Sequence, residues 1–350
     1  MKVLNAFWLR HRDPLIILLS FLGALGVGGA LFLAHGVNPL EAYGAMVVGA
    51  LGSAPALWST LARTVPYILG ALSIAVAFAA GVWNIGAEGQ LYMGALGAAL
   101  AGLFLPPMPS LPAMILVLAF GVSVGVFWAW VPGRLSLDLG MNVVVVTIMF
   151  NAVAQYFTSY LATGPLAGKN VSAGMTDRVQ DFVRFSRISD LAVLHTGVFV
   201  ALGAALLVTG LMLWTAWGYE GRMVRLNPRA AAAGGIPVRR RQLGAMALSG
   251  ALAGLAGSLL VMGDTGRFLV GISKGYTWTG MILAMMVGYN PLGVLGAALV
   301  YAAMSSGALE MELLTGIPAE VVDLIVTTSV LFVTAGMAVA NRLANRLRED

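Results

Sequence analysis

Six side chains could meet a polar solute at membrane depth: Asn84, Glu88, Gln90, Asn142, Asn151 and Gln155. Such groups are costly in an apolar medium unless they are paired or border water. Asn84, Glu88 and Gln90 belong to GVWNIGAEGQ (81–90), a glycine-rich interruption of an otherwise apolar pattern. Asn142, Asn151 and Gln155 lie along a later apolar run, and residues 151 and 155 share one face of a helix. Two roles fit these residue types. They could line a path for a hydrophilic solute at a broken helix, where free backbone groups are tolerated only beside a cavity. They could instead fasten helices together by hydrogen bonds, with Glu88 protonated or capping the next helix. Asp264 and Asp323 fall near outer helix ends and are expected to be solvated.

The second stretch with chemical content is RMVRLNPRAAAAGGIPVRRRQ (222–242), with six arginines in a chain that is only 10% charged. Asn227 can cap a helix and Pro228 can take its first position, where no N–H partner is needed. Arg229, Ala230, Ala231, Ala232 and Ala233 continue it, and Gly234 and Gly235, followed by Ile236 and Pro237, end it. Two turns span roughly 9–11 Å, far too short to cross a bilayer. Arginines gather in cytoplasmic loops for reasons of orientation alone, so they fix sidedness and not function. The cap, short helix, Gly-Gly and Pro add what orientation does not require: a stub suited to docking on another protein at the membrane surface.

Other chemistries are excluded by composition. The chain has no cysteine, so thiolate ligands, disulfides and cysteine nucleophiles are out. His11, His35 and His195 are too far apart for metal-ligand spacing, and neither a metal nor a cofactor is expected. No nucleophile elbow and no phosphate-binding P-loop occurs; Lys274 in GISKG lacks the glycine spacing. Work against a gradient would therefore draw on a partner or an ion gradient. Basic and aromatic residues do not interleave as in strand-binding proteins, which argues against nucleic acid despite a net charge of +5.

The elements that must position these residues are membrane helices. The 350 residues are 59% hydrophobic with 44 glycines, and mean hydropathy is +0.88. A soluble domain carries about 25% charged residues. The expected architecture is an all-α polytopic membrane protein: one domain over 1–350, about ten transmembrane helices, and a lipid bilayer as its surroundings. The expected spans are 15–34 (retained, with no cleavage site after it), 64–82, 91–105, 113–131, 139–161, 196–217, 243–262, 276–287, 292–307 and 321–340. Residues 35–60 are read as a helix lying at the outer interface or only partly inserted, and Pro132-Gly133 as ending a span. The mixed-sign stretch 163–195 is an outer, solvated loop, and 218–242 is a cytoplasmic one. This path leaves both termini inside, with thirteen of the twenty Lys and Arg on the cytoplasmic side, among them Lys2, Arg10, Arg12, Arg342, Arg346 and Arg348. GALGAAL (94–100) and GVLGAAL (293–299) read as small-residue faces that let helices approach.

GVWNIGAEGQLYMGA (81–95), TVPYILGALSIAVAFAAGVWNIGAEGQ (64–90), GMNVVVVTIMFN (140–151), NPRAAAAGGIPVRRRQLGAMALSGALAGLAGSL (227–259) and GYNPLGVLGAAL (288–299) occur in this order. Together they resemble the permease subunits of ATP-binding-cassette (ABC) importers for nucleosides and simple sugars. That group is related to ribose and branched-chain amino-acid permeases. The resemblance implies a type II importer-like fold in a bacterial inner membrane, with 227–237 as a coupling helix received by an ATPase subunit. It also implies a homo- or heterodimer of permeases, two ATPase subunits and an extracytoplasmic solute-binding protein. Similar members often carry an acid after the asparagine at 142, where this chain has Val143. An ion-gradient-driven secondary transporter is the alternative, with Glu88 as its titratable group.

Overall fold

The computed structural model describes residues 2–169, 171–188 and 194–349, without the side chains of 2–14, 17, 334 and 337–349. Lys2, Arg10, Arg12, Arg342, Arg346 and Arg348, on which the sidedness of the termini partly rests, lie with their side chains outside the described residues. The described residues form thirteen α-helices and no named strand. In chain order these are α1 (Lys2–Ala34), α2 (Pro39–Leu51), α3 (Ala54–Ala79), α4 (Ala87–Phe104), α5 (Ser110–Leu139), α6 (Val143–Thr163) and α7 (Gly197–Trp214). There follow α8 (Ala216–Leu226), α9 (Pro228–Ala233), α10 (Val238–Leu259), α11 (Tyr276–Met286), α12 (Pro291–Thr315) and α13 (Val321–Glu349). Among the described residues, six helices are long and apolar enough to cross a membrane, and seven if the bent pair α1–α2 counts as one. The chain is a multi-pass membrane protein.

Burial sorts these helices. About four-fifths of the apolar stretch of α3 and of α10 is buried (83% each), against 22% for α5 and 28% for α6. A helix that is apolar all round belongs in a protein core or in lipid. The first pair, with α4, is the core; α5, α6 and α7 turn large side chains such as Phe120, Phe127, Phe157 and Phe199 outward. Close approach in the core depends on glycine. A Cβ on Gly94 would collide with the backbone of Gly254, and one on Gly125 would sit 2.6 Å from the Gly250 carbonyl oxygen. Without a hydrophobic driving force between helices in lipid, such backbone-to-backbone packing is what holds α4, α5 and α10 together. The second small-residue face is not built this way: Gly296 has open space before it.

Three expected boundaries move. α5 runs through Pro132 and Gly133 and stops at Gly140, in the left-handed region (φ 68°). Both Pro132 and Gly133 are buried, and the space beside Gly133 is filled by Leu243 and Met246 of α10, so packing outweighs the proline penalty. Residues 35–60 hold a capped helix, α2, folded back at 114° to α1, and the first turns of α3, which Ser53 caps. The stretch 163–195 is not merely solvated. Val179 and Val183 are buried, and the backbone bonds Val179 to Gly266 (2.9 Å), Phe185 to Met262 (3.0 Å) and Val270 to Gly174 (2.9 Å). The loop is thereby laid over the end of α10, which finishes in a π-helical turn, Leu260–Thr265.

Candidate functional site

At the arginine-rich end, the backbone leaves α7 at Trp214 and restarts as α8, where Thr215 Oγ1 accepts from the Gly218 N–H (3.4 Å). Arg222 donates to the Met212 carbonyl, satisfying one of the free acceptors at the end of α7. Asn227 then serves two helices. Its N–H donates to the Met223 carbonyl to close α8, and its Oδ1 accepts from the N–H groups of Arg229 (3.0 Å) and Ala230 (3.1 Å) to open α9. Gly235, at φ 83°, closes α9, with the Ile236 N–H bonded to the Ala231 carbonyl (3.0 Å). The short helix foreseen at 228–233 is therefore present, with each cap as the sequence indicated.

Ion pairs hold the base of this helix. Arg241 pairs with Glu220 of α8, and Arg239 pairs with Asp138 at the end of α5, which also takes Arg134 (2.7 Å). Pro228, Arg229, Ala230, Ala232, Gly234, Gly235 and Pro237 are exposed, whereas Ala231 is buried and Ile236 half-buried. Residue 231 thus anchors α9 to its own subunit, and the outward face is a patch of small side chains beside one guanidinium. Such a surface can enter a groove with little side-chain entropy to lose.

The six polar candidates divide. Four converge in the core. Asn84 Nδ2 donates to Gln90 Oε1 (3.1 Å) and Ser249 Oγ (2.8 Å), while its Oδ1 accepts from the Gly86 N–H (3.0 Å) and Gln90 Nε2 (3.1 Å). Ser249 in turn meets Ser73 of α3 (3.1 Å). Asn151 Oδ1 accepts from the Gly89 N–H (2.7 Å), and its Nδ2 donates to the Ile85 carbonyl (2.8 Å). Glu88 accepts from the Thr277 hydroxyl of α11. These contacts join the break before α4 to α3, α6, α10 and α11, and they supply the backbone partners that the break leaves free. Asn142 and Gln155 stand apart. Asn142 caps α6, accepting from the Val144 N–H (3.0 Å), and is exposed; Gln155 is exposed too, while Asn151 one turn earlier is buried.

At the opposite end lies a cavity of about 280 Å³ among α3, the π-helical turn and the start of α11. Arg63, Asp264, Lys274, Ser59, Tyr276 and His195 line it. His195 is buried and stacked on Phe185 at 5.7 Å, and a side chain at Gly263 would collide with its ring. The Gly197 N–H donates to its Nδ1 (3.2 Å), which leaves the proton of the neutral ring on Nε2. Burial pushes the imidazole below its ordinary value, and Asp264 pulls weakly the other way. Asp264 was expected in solvent and is exposed, but nothing in the sequence joined it to Arg63 and Lys274. The available signal was three charges at the ends of apolar runs that are otherwise almost free of charge.

A family model described as branched-chain amino acid transport system / permease component matches residues 56–335. The chain belongs to this permease family. It is 33% identical to the glucose ABC transporter permease protein of Haloferax volcanii, over 93% of this chain and 87% of that one. It is 31% identical to the guanosine ABC transporter permease protein of Bacillus subtilis, over 94% and 95% of the two chains. It is likewise 31% identical to the nucleoside ABC transporter permease protein of Lactococcus lactis, over 93% and 92%. No solved structure matches the chain at a significant level. The protein is thus a permease subunit of an ABC importer, a non-catalytic part of an assembly with ATPase partners. A gradient-driven secondary transporter is not favoured.

Proposed function

We propose that this permease carries a nucleoside or a simple sugar inward, and that α9 is the coupling helix through which ATPase subunits drive it. The observation that carries the reading is the exposed, doubly capped α9 on an ion-paired base. Glucose, guanosine and nucleosides are the solutes in the names of its relatives, which supports that substrate class. Ten crossings follow if α1, α4, α11 and α13 cross together with the six long apolar helices, which leaves α2 at the outer face. α8 and α9 then face the cytoplasm with both termini, the 164–195 loop faces outward, and the membrane is the bacterial inner one. The partners in this reading are two ATPase subunits, a second permease subunit, identical or paralogous, and an extracytoplasmic solute-binding protein, on a type II importer-like scaffold. We assign Asn84, Gln90 and Asn151 to holding the break before α4 in register, and not to the path of the solute.

Purified permease and ATPase subunits in proteoliposomes, supplied with the binding protein, test this reading. Uptake of guanosine or D-glucose is expected only with ATP. Uptake driven by a sodium or proton gradient without ATPase subunits would reject it.

A further inference from the structure

We propose that the cavity between Arg63, Asp264 and Lys274 is a binding site in the permease itself for adjacent hydroxyl groups on a sugar ring. This deepens, and rests on, the importer reading. The polar side chains that join the core helices, and the ion-paired arginines at the base of α9, are committed. Asn84, Gln90, Asn151 and Glu88 bond within the core, and Arg134, Arg239 and Arg241 pair with Asp138 and Glu220. By contrast, the side chains of Arg63, Asp264 and Lys274 make no hydrogen bond or ion pair with any described residue; all three line one cavity, Arg63 half-buried and Asp264 and Lys274 exposed.

The donor set of the cavity selects among ligand classes. A guanidinium and an ammonium offer only donors, and a carboxylate offers only acceptors. An anion would face Asp264, and a metal cation would face Arg63 and Lys274. A neutral diol satisfies both, because each hydroxyl donates to a carboxylate oxygen and accepts from a cation. Tyr276 supplies an apolar ring beside them, and His195, its Nδ1 already occupied, presents its ring to the cavity. The volume, about 280 Å³, is near the small end of ligand pockets, which begin at roughly 300 Å³. The wall includes the π-helical turn, a distortion that recurs at functional sites. Glucose and the ribose of a nucleoside, so unlike elsewhere, have this diol in common.

The absence of cysteine makes a direct test available. Ser59→Cys is the only thiol in the permease of the reconstituted complex, and a membrane-impermeant methanethiosulfonate reads its exposure from the side of the 164–195 loop. Guanosine and D-glucose, each at ten times its dissociation constant, are expected to slow labelling about tenfold, while 2′,3′-dideoxyguanosine does not. Asp264→Asn removes the protection, and Lys169→Cys, in an exposed part of the loop, labels at one rate throughout. Ala62→Cys serves in the same way if Ser59→Cys assembles poorly. Equal protection by dideoxyguanosine, protection by inorganic phosphate instead, or no protection while ATP-driven uptake proceeds would each overturn the proposal. Loss of ATP dependence in the uptake assay would instead strike the importer reading, and labelling would still report on the cavity.

Discussion

Asn84→Ala separates the two roles open to the buried amides. The side chain makes four hydrogen bonds, and truncation leaves the Gly86 N–H and both ends of the Gln90 amide without these partners; Ser249 keeps Ser73. All of these groups are buried, so water cannot easily replace what is lost. Orphaning a buried polar group costs about 1–3 kcal/mol, so three orphaned groups give about 3–9 kcal/mol. For a chain of 350 residues this corresponds to a fall in thermal midpoint of about 4–12 °C. Intrinsic fluorescence of the detergent-solubilised complex, scanned with temperature, measures it, with Gln155→Ala as an exposed control expected to stay at the wild-type midpoint. ATP-driven uptake at a temperature well below the midpoint should survive in part. An Asn84→Ala protein that melts with the wild type yet transports nothing would refute the fastening role and place Asn84 in the path of the solute.

Three further outcomes are expected. Single cysteines at Ala230 or Ala232 should cross-link to an ATPase subunit, and one at Ala231, 5% exposed, should not; capture at 231 alone would mean that α9 docks by its other face. Gly235→Ala forces a Cβ into φ 83°, at about 1–2 kcal/mol, and should depress ATP-driven uptake, whereas Gly234→Ala, at φ −79°, should not; equal rates for the two would show that the cap is dispensable. The His195 imidazole is held below its ordinary 6.5 by burial, so the unfolded chain takes up the proton more readily than the folded one. The stability it contributes is complete above that value and is lost as pH falls below it. The thermal midpoint should drop between pH 7 and about 5.5, and His195→Gln should flatten that part of the profile.

Elements decided by local rules are legible in the sequence. Asn227, Pro228 and Gly235 act within a few residues of their own backbone, so α9 could be placed before any packing was known. The interruption at 81–90 was legible because glycine and polar residues break an apolar run. Its tertiary use was not, since the partners of Asn84 and Gly89 come from positions 249 and 151. Pro132 misled for a related reason. The rule that proline ends a helix is local, while burial of Pro132 and Gly133 against α10 is not. The cavity was furthest from view, because Arg63, His195 and Asp264 are separated by well over a hundred and by some seventy residues and meet only once α3 and α10 are packed.

α10 starts beside the ion pairs of Arg239 and Arg241 and ends, through the π-helical turn, at the wall of the opposite cavity. Its 22 residues make a rod of about 33 Å. Tipping that rod by five degrees at its arginine end sweeps the far end through about 3 Å, the width of a water molecule. Glycine packing against α4 and α5 leaves it little slack to bend, so on the coupling role proposed for α9 a small push at the arginine end would reach the opposite cavity as a change of aperture.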